Sequence, residues 1–226
     1  MHKNYLLVYL LLLTTLFATS SYAESPENLS CAKNSVINYY QSGKYEEEVS
    51  QVVKNAERYM QKRITENQHA AKPQKLALVL DIDDTSLSNF AALRQEDFSL
   101  RHLDTIQKEA NAPAIKPILQ LYNEAVHDGI NVFFISNRPD SLRSSTMANL
   151  HHAGYDGWTQ LYLPKPNEES HSYKAQVRQI LTAQGYDIIV NVGDQYTDLE
   201  GGYADRTYKI PNLMYSTEKA CHTSKQ

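Results

Sequence analysis

Little in this sequence marks a specialised architecture. It has two cysteines, and neither has a histidine or the other cysteine at metal-ligand spacing. That argues against a thiolate metal centre and against a small scaffold held by many disulfides. Positive charge is not in excess: 22 Lys and Arg face 26 Asp and Glu, a formal net charge of −4. The electrostatic footprint of a nucleic-acid binder is therefore missing, and no nucleic-acid polymer is expected as a partner. There is no internal repeat and no low-complexity stretch, so solenoids and disordered tails find no support. With 42% hydrophobic and 21% charged residues, the composition is that of an ordinary globular chain. Its 226 residues suit one domain with a small appendage.

Long apolar runs are also missing, apart from residues 5–18. This run follows the weakly basic start His2-Lys3 and leads into Ser21-Tyr22-Ala23. A short apolar core with small residues after it is the pattern of a secretory signal peptide, here residues 1–23, cleaved after Ala23. A membrane-spanning anchor is the rival reading, but the run is short for the roughly 20 residues a span needs. No lipid-attachment sequence leads into Cys31. The expected mature protein starts at Glu24, is periplasmic or secreted, and keeps no stable membrane anchor. Cys31 and Cys221, near its two ends, are expected to pair in an oxidising compartment, with two unpaired thiols as the alternative.

Residues 30–70 carry a helical pattern, with Tyr45, Val49, Val52, Val53, Ala56, Tyr59 and Met60 at three- and four-residue spacing. Residues 24–74 are read as an N-terminal helical extension ended by Lys72-Pro73-Gln74. The period then changes. Residues 76–80 form a continuous apolar run, as in a strand buried on both faces of a parallel sheet. Further strand candidates are 131–136, 160–163, 187–192 and 207–210. The helical pattern of 114–127 ends at Gly129. A second helix, capped by Asp140 or Ser141, stops before Gly154, and a third, capped by Ser170 or Ser172, ends at Gly185. Strands alternating with helices predict an α/β fold, with a mostly parallel sheet flanked by helices. Residues 86–112 break the alternation and are read as a short, mostly helical, cap-like insertion at the carboxyl end of the first strand, where ligands bind in such sheets. The domain is expected over 75–215, with a tail over 216–226.

Chemistry-bearing residues close three of these strands and open one helix. Asp81-Ile82-Asp83-Asp84-Thr85 ends the first. Two carboxylates two residues apart on such a turn can share one pocket, one attacking or binding metal and the other moving a proton. An EF-hand loop is excluded, because it needs Gly where Ser86 stands and Glu where Ala92 stands. Ser136 ends the second strand, in Phe133-Phe134-Ile135-Ser136-Asn137-Arg138-Pro139, and could donate to a phosphate oxygen. Lys174 opens the helix before the fourth candidate strand and could offset phosphate charge. Gly193-Asp194-Gln195-Tyr196-Thr197-Asp198 closes that strand, and its carboxylates suit a hard, oxygen-rich Mg²⁺ site. Singly, Ser136 and Lys174 are ordinary residues for a turn and a helix.

Taken in order, these four motifs resemble those of the haloacid-dehalogenase (HAD) superfamily. The closer likeness is to its secreted acid phosphatases of the four-aspartate type, the bacterial class B and C enzymes, and to the plant acid phosphatase and vegetative storage protein branch. The matching text is LVLDIDDTSLSN, FFISNRP, SYKAQVRQIL and GYDIIVNVGDQYTDLEGG, followed by YKIPNLMY. The resemblance implies a HAD-like Rossmannoid fold and Mg²⁺-dependent hydrolysis of small phosphomonoesters. It implies Asp81 as nucleophile and metal ligand, and Asp83 as general acid and base with its carbonyl on the metal. It further implies Ser136 and Lys174 as phosphate holders, Asp194 as metal ligand and Asp198 as support of the metal shell. Asn89, Asn137 and Arg138 are expected to line the substrate pocket. The chain departs from many relatives at Asp84, where they have glutamate, and from plant members at Tyr196, where tryptophan is common. An idle storage or binding protein on the same fold and a phosphotransferase are the alternatives; the first is disfavoured by the retained Asp81.

Overall fold

The computed structural model describes residues 27–168 and 172–217. The expected signal segment with its cleavage point, Ser170 as a cap, and Cys221 all lie outside the described residues, as does most of the 216–226 tail. Cys31, the other half of the expected pair, is exposed.

The N-terminal helical stretch is two helices, not one. Helix α1 (Leu29–Gln41) is capped by Asn28, whose side chain accepts from the Ser30 amide at 2.9 Å. Helix α2 (Lys44–Gln68) starts after Gly43, which holds φ at 86°. That left-handed turn breaks the helical path, and glycine adopts it without steric cost. The periodic residues of α2 do face inward: Tyr45, Val49, Val53, Ala56 and Met60 are buried, and Val52 and Tyr59 are half-buried. The Asn67 side chain then donates to the Gln74 carbonyl and accepts from its amide, which closes the turn into the sheet.

The sheet is wholly parallel. Its strands β1 (Lys75–Leu80), β2 (Asn131–Ile135), β3 (Gln160–Tyr162), β4 (Tyr186–Gly193) and β5 (Arg206–Lys209) lie in the order β3-β2-β1-β4-β5. Each falls within one or two residues of the run that sequence pattern indicates. Side chains of β1 alternate between two buried layers, which is why the run is apolar throughout. Leu76, Leu78 and Leu80 join the larger core beneath α2, whereas Ala77 and Val79 pack with Phe133, Ile135 and Ile188.

Between β1 and β2 run α3 (Phe90–Gln95), a 3₁₀ turn (Leu100–His102), α4 (Leu103–Glu109) and α5 (Lys116–His127). Helix α5 presents Ile118, Leu121, Tyr122 and Ala125 to the larger core. After β2, the expected caps Asp140 and Ser141 instead fall in a 3₁₀ turn (Asp140–Leu142) before α6 (Arg143–His152). Asp140 accepts from the Arg143 guanidinium there rather than from a helix amide. Helix α7 (Tyr173–Ala183) starts after Ser172, whose hydroxyl accepts from Gln176, and gives way to Gly185 at φ 86°. A single turn, α8 (Tyr196–Leu199), separates β4 from the loop to β5. Among the described residues no helix is long and apolar enough to cross a membrane.

The chain runs outward from β1 through β2 to β3, then crosses back to β4 on the other side of β1. The order therefore reverses between β1 and β4. Ligands bind outside the carboxyl ends of strands at such a reversal, and Asp81 and Asp194 follow these two strands directly.

Candidate active site

Asp81 leaves β1 tied to β4 by its amide, which donates to the Val192 carbonyl at 3.0 Å. The turn behind it is built by the fully buried Ile82, whose carbonyl accepts from the amides of Ser86 and Leu87. Asp84 sits at φ 55°, a left-handed position that aspartate tolerates better than most residues. This turn brings Asp81 and Asp83 to one cavity of ≈ 200 Å³. Ser136, Asn137 and Arg138 after β2, Lys174 on α7, and Asp194 and Asp198 after β4 line the same cavity. Eight of the nine residues singled out from the sequence line that cavity. Asn89 does not: it is buried and donates to Asp83 at 2.8 Å and to Asp84 at 3.3 Å.

Asp81, Asp194 and Asp198 are buried, and one carboxylate oxygen of each lies within 4.8 Å of the others. The Lys174 ammonium bridges two of them, donating to Asp81 and, at 2.7 Å, to Asp198. Burial alone would lower the Lys174 pKa, but Asp198 and Asp81 outweigh it and hold the ammonium above its ordinary range. Burial pushes Asp81 well up; Lys174 opposes this, while Asp198, Asp194 and Asp83 add to it. Asp194 is raised by burial and then by Asp198 and Asp84. One ammonium thus fails to balance the buried carboxylates around it. A hard, oxygen-only donor set with surplus negative charge fits a divalent cation, and these three aspartates could hold one.

Asp83 has different partners. The Arg138 guanidinium, whose side chain is fully buried, donates to both its oxygens at 2.9 and 2.8 Å. Gln107 on α4 adds a bond at 3.1 Å, beside that from Asn89. Burial would raise the Asp83 pKa, but Arg138, with Asn89 and Gln107, holds it below the ordinary carboxylate range. These donors favour the ionised form of Asp83 in this arrangement, whereas action as a general acid requires it to carry a proton. Arg138 reaches the cavity but is committed to Asp83 and, at 3.2 Å, to Thr146.

The supporting residues come from distant parts of the chain. Asp194 accepts from Thr85 at 3.0 Å and from Asn212 at 2.7 Å, and also from the neighbouring Gln195. Tyr215 donates to Asp84 at 2.7 Å; burial, opposed by Tyr215 and Asn89, pushes Asp84 to about 7. Lys174 and Arg178 lie one turn apart on α7, so both face the same loop. Lys174 meets its carboxylates, and Arg178 donates to the carbonyls of Asp198, Glu200 and Gly202. Gly193 needs its missing side chain, since a Cβ there would overlap Asp198. Gln107, Arg178, Asn212 and Tyr215 were not singled out from sequence. Arg178 falls within one quoted motif, and Asn212 and Tyr215 within the text after the last, but nothing local marks them as partners of the site.

Known proteins resemble this chain in sequence and in fold. Similar proteins include the stem 28 kDa glycoprotein of Glycine max, 38% identical over 62% of this chain and 60% of that protein. Acid phosphatase 1 of Solanum lycopersicum is 32% identical over 61% of this chain and 57% of that protein. Vegetative storage protein 2 of Arabidopsis thaliana is 32% identical over 61% and 55%. The chain thus matches little more than half the length of these relatives. The fold matches that of the class C acid phosphatase from Bacillus anthracis, with a TM-score of 0.68, 20% identity, and 83% of this chain and 85% of that one covered. The model of the acid phosphatases of HAD subfamily IIIB matches residues 20–218, and the chain belongs to that family.

Proposed function

We propose that this protein is a Mg²⁺-dependent acid phosphatase, hydrolysing phosphomonoesters through a phosphoryl group carried on Asp81. The observation that carries the reading is the pairing of a buried carboxylate, Asp81, with the Lys174 ammonium and a cluster of further carboxylates, all open to one small cavity. An Asp81 oxygen attacks phosphorus, the bond to the ester oxygen breaks, and that oxygen takes a proton from the protonated fraction of Asp83, which grows as pH falls. Water then attacks the same phosphorus, the bond to Asp81 breaks, and the water's proton passes to Asp83. Ser136 and Lys174 hold the phosphoryl oxygens. Asp81, Asp194 and the Asp83 carbonyl, with Asp198 beside them, would hold Mg²⁺, which supplies positive charge against a substrate dianion. The Arg138 pair favours the ionised Asp83 that the second step needs.

Phosphate release from phenyl phosphate is expected with Mg²⁺ and lost in EDTA, and Asp81→Asn is expected to abolish it. Undiminished release by Asp81→Asn would refute the nucleophile. The similar Arabidopsis proteins are named storage proteins, but Asp81 and its partners are all present, which supports an active enzyme. Export rests on residues 1–23 and on relatives named glycoproteins. N-terminal sequencing of the native protein is expected to begin at Glu24; an intact Met1 or a lipid-modified Cys31 would refute cleavage there.

A further inference from the structure

We propose that the cavity selects phosphomonoesters whose alcohol is small and uncharged or cationic, and discriminates against those carrying a second anionic group. This rests on the phosphatase reading above and names the substrate class of that site. The volume sets the size: ≈ 200 Å³ is below the 300–1,000 Å³ of pockets that enclose larger ligands. Charge sets the kind. Among the described residues two cations line the cavity, and both are committed, Arg138 to Asp83 and Lys174 to Asp81 and Asp198. Both serve the end where phosphorus would react. The insertion contributes Leu100, Leu103, Asp104 and Gln107 to the lining, and Gln107 is bonded to Asp83.

Leu100 is 41% exposed and Leu103 half-buried, so they offer apolar surface to an alkyl or aryl group. Asp104, exposed beside them, is the charged group that the insertion adds to the cavity. The lining residues Asn137, Pro139, Thr197, Tyr215 and Thr217 are neutral. A carboxylate or second phosphate on the alcohol would meet Asp104 and no free cation among the described lining residues. An ammonium there would be attracted instead. Leu100, Leu103 and Asp104 thus act as specificity determinants.

The test is kcat/KM at low ionic strength for three alcohols of similar size: glycerol phosphate, 3-phosphoglycerate and phosphoethanolamine, with phenyl phosphate as the apolar reference. The carboxylate substrate is expected to fall roughly tenfold below glycerol phosphate, and the ammonium substrate to equal or exceed it. Added salt should compress both ratios. Asp104→Lys should narrow or reverse the preference of phosphoethanolamine over 3-phosphoglycerate, and Leu100→Lys should act in the same direction. A wild-type enzyme that takes 3-phosphoglycerate as well as glycerol phosphate, or ratios that neither variant moves, would overturn the inference. Failure to release phosphate from any of the four would instead refute the phosphatase reading, and this inference with it.

Discussion

Asp83 accepts hydrogen bonds from three side chains, and that cage decides what a single substitution there does. Asp83→Asn removes the proton relay but keeps the backbone carbonyl. General acid and base help is typically worth about 10²–10⁴-fold. An alkoxide needs its proton to leave, whereas nitrophenolate leaves well without one. The first step should therefore fall far more for alkyl than for nitrophenyl phosphates. Slow hydrolysis of the phosphoryl enzyme should then give a burst of nitrophenol near one equivalent, read by stopped-flow absorbance. Equal losses for both substrates with no burst would mean that Asp83 is structural. The same change strands the Arg138 charge in a buried site, which costs about 3–5 kcal/mol in such cases, so urea unfolding should show a clear loss. At this scale the sequence was only half legible. Asp81, Asp83, Ser136, Lys174, Asp194 and Asp198 stand at strand and helix ends, where local pattern exposes them. Arg138 could be assigned to the cavity but not to Asp83, because their bond joins positions 55 residues apart. Gln107 and Tyr215 were hidden for the same reason.

Elements were read more easily, because their signals are local. Apolar runs gave the inner strands β1, β2 and β4, since a parallel strand buried on both faces has little polar surface to interrupt it; the edge strands β3 and β5 are shorter and partly exposed. The α2 stripe gave its buried face. The break at Gly43 was not evident, as glycine within a helical pattern is tolerated as often as it terminates one. Helix α2 lies on the core beneath β1 and away from the cavity, and it is also fastened by Arg63, which donates to Asp187 at 2.7 Å and pairs with Asp205. Met60 on this helix is fully buried in that core. Met60→Ala should cost about 2–5 kcal/mol of unfolding free energy and leave KM unchanged below the new transition. Chemical denaturation with parallel kinetics checks both. A raised KM in the folded variant would show that α2 shapes the site as well as supporting it.

For the whole molecule, the order of the strands is what the sequence did not disclose. Alternating strands and helices imply a parallel sheet but not which strand is central; that β1 lies between β2 and β4 comes from the crossovers. This placement gathers Asp81, Asp194 and Asp198 into one buried cluster with Lys174 as the cation bridging two of them. Folding must therefore bring together carboxylates that repel one another, and stability and metal binding become linked. Mg²⁺ at a hundredfold excess over its Kd should stabilise the fold by about 2.7 kcal/mol. For a chain of this size that is a rise of roughly 5–10 °C in Tm. Asp194→Asn separates the two contributions. Its amide oxygen can still accept from Gln195 and Asn212, and its NH₂ can donate to Thr85, whose hydroxyl accepts as readily as it donates. One repelling charge is gone, so the metal-free variant should melt at or above the wild type. It should also lose most of the rise that Mg²⁺ gives. Differential scanning fluorimetry in EDTA and in Mg²⁺ reads both effects without any substrate. A variant that keeps the full Mg²⁺ response would remove Asp194 from the metal site, whatever its activity.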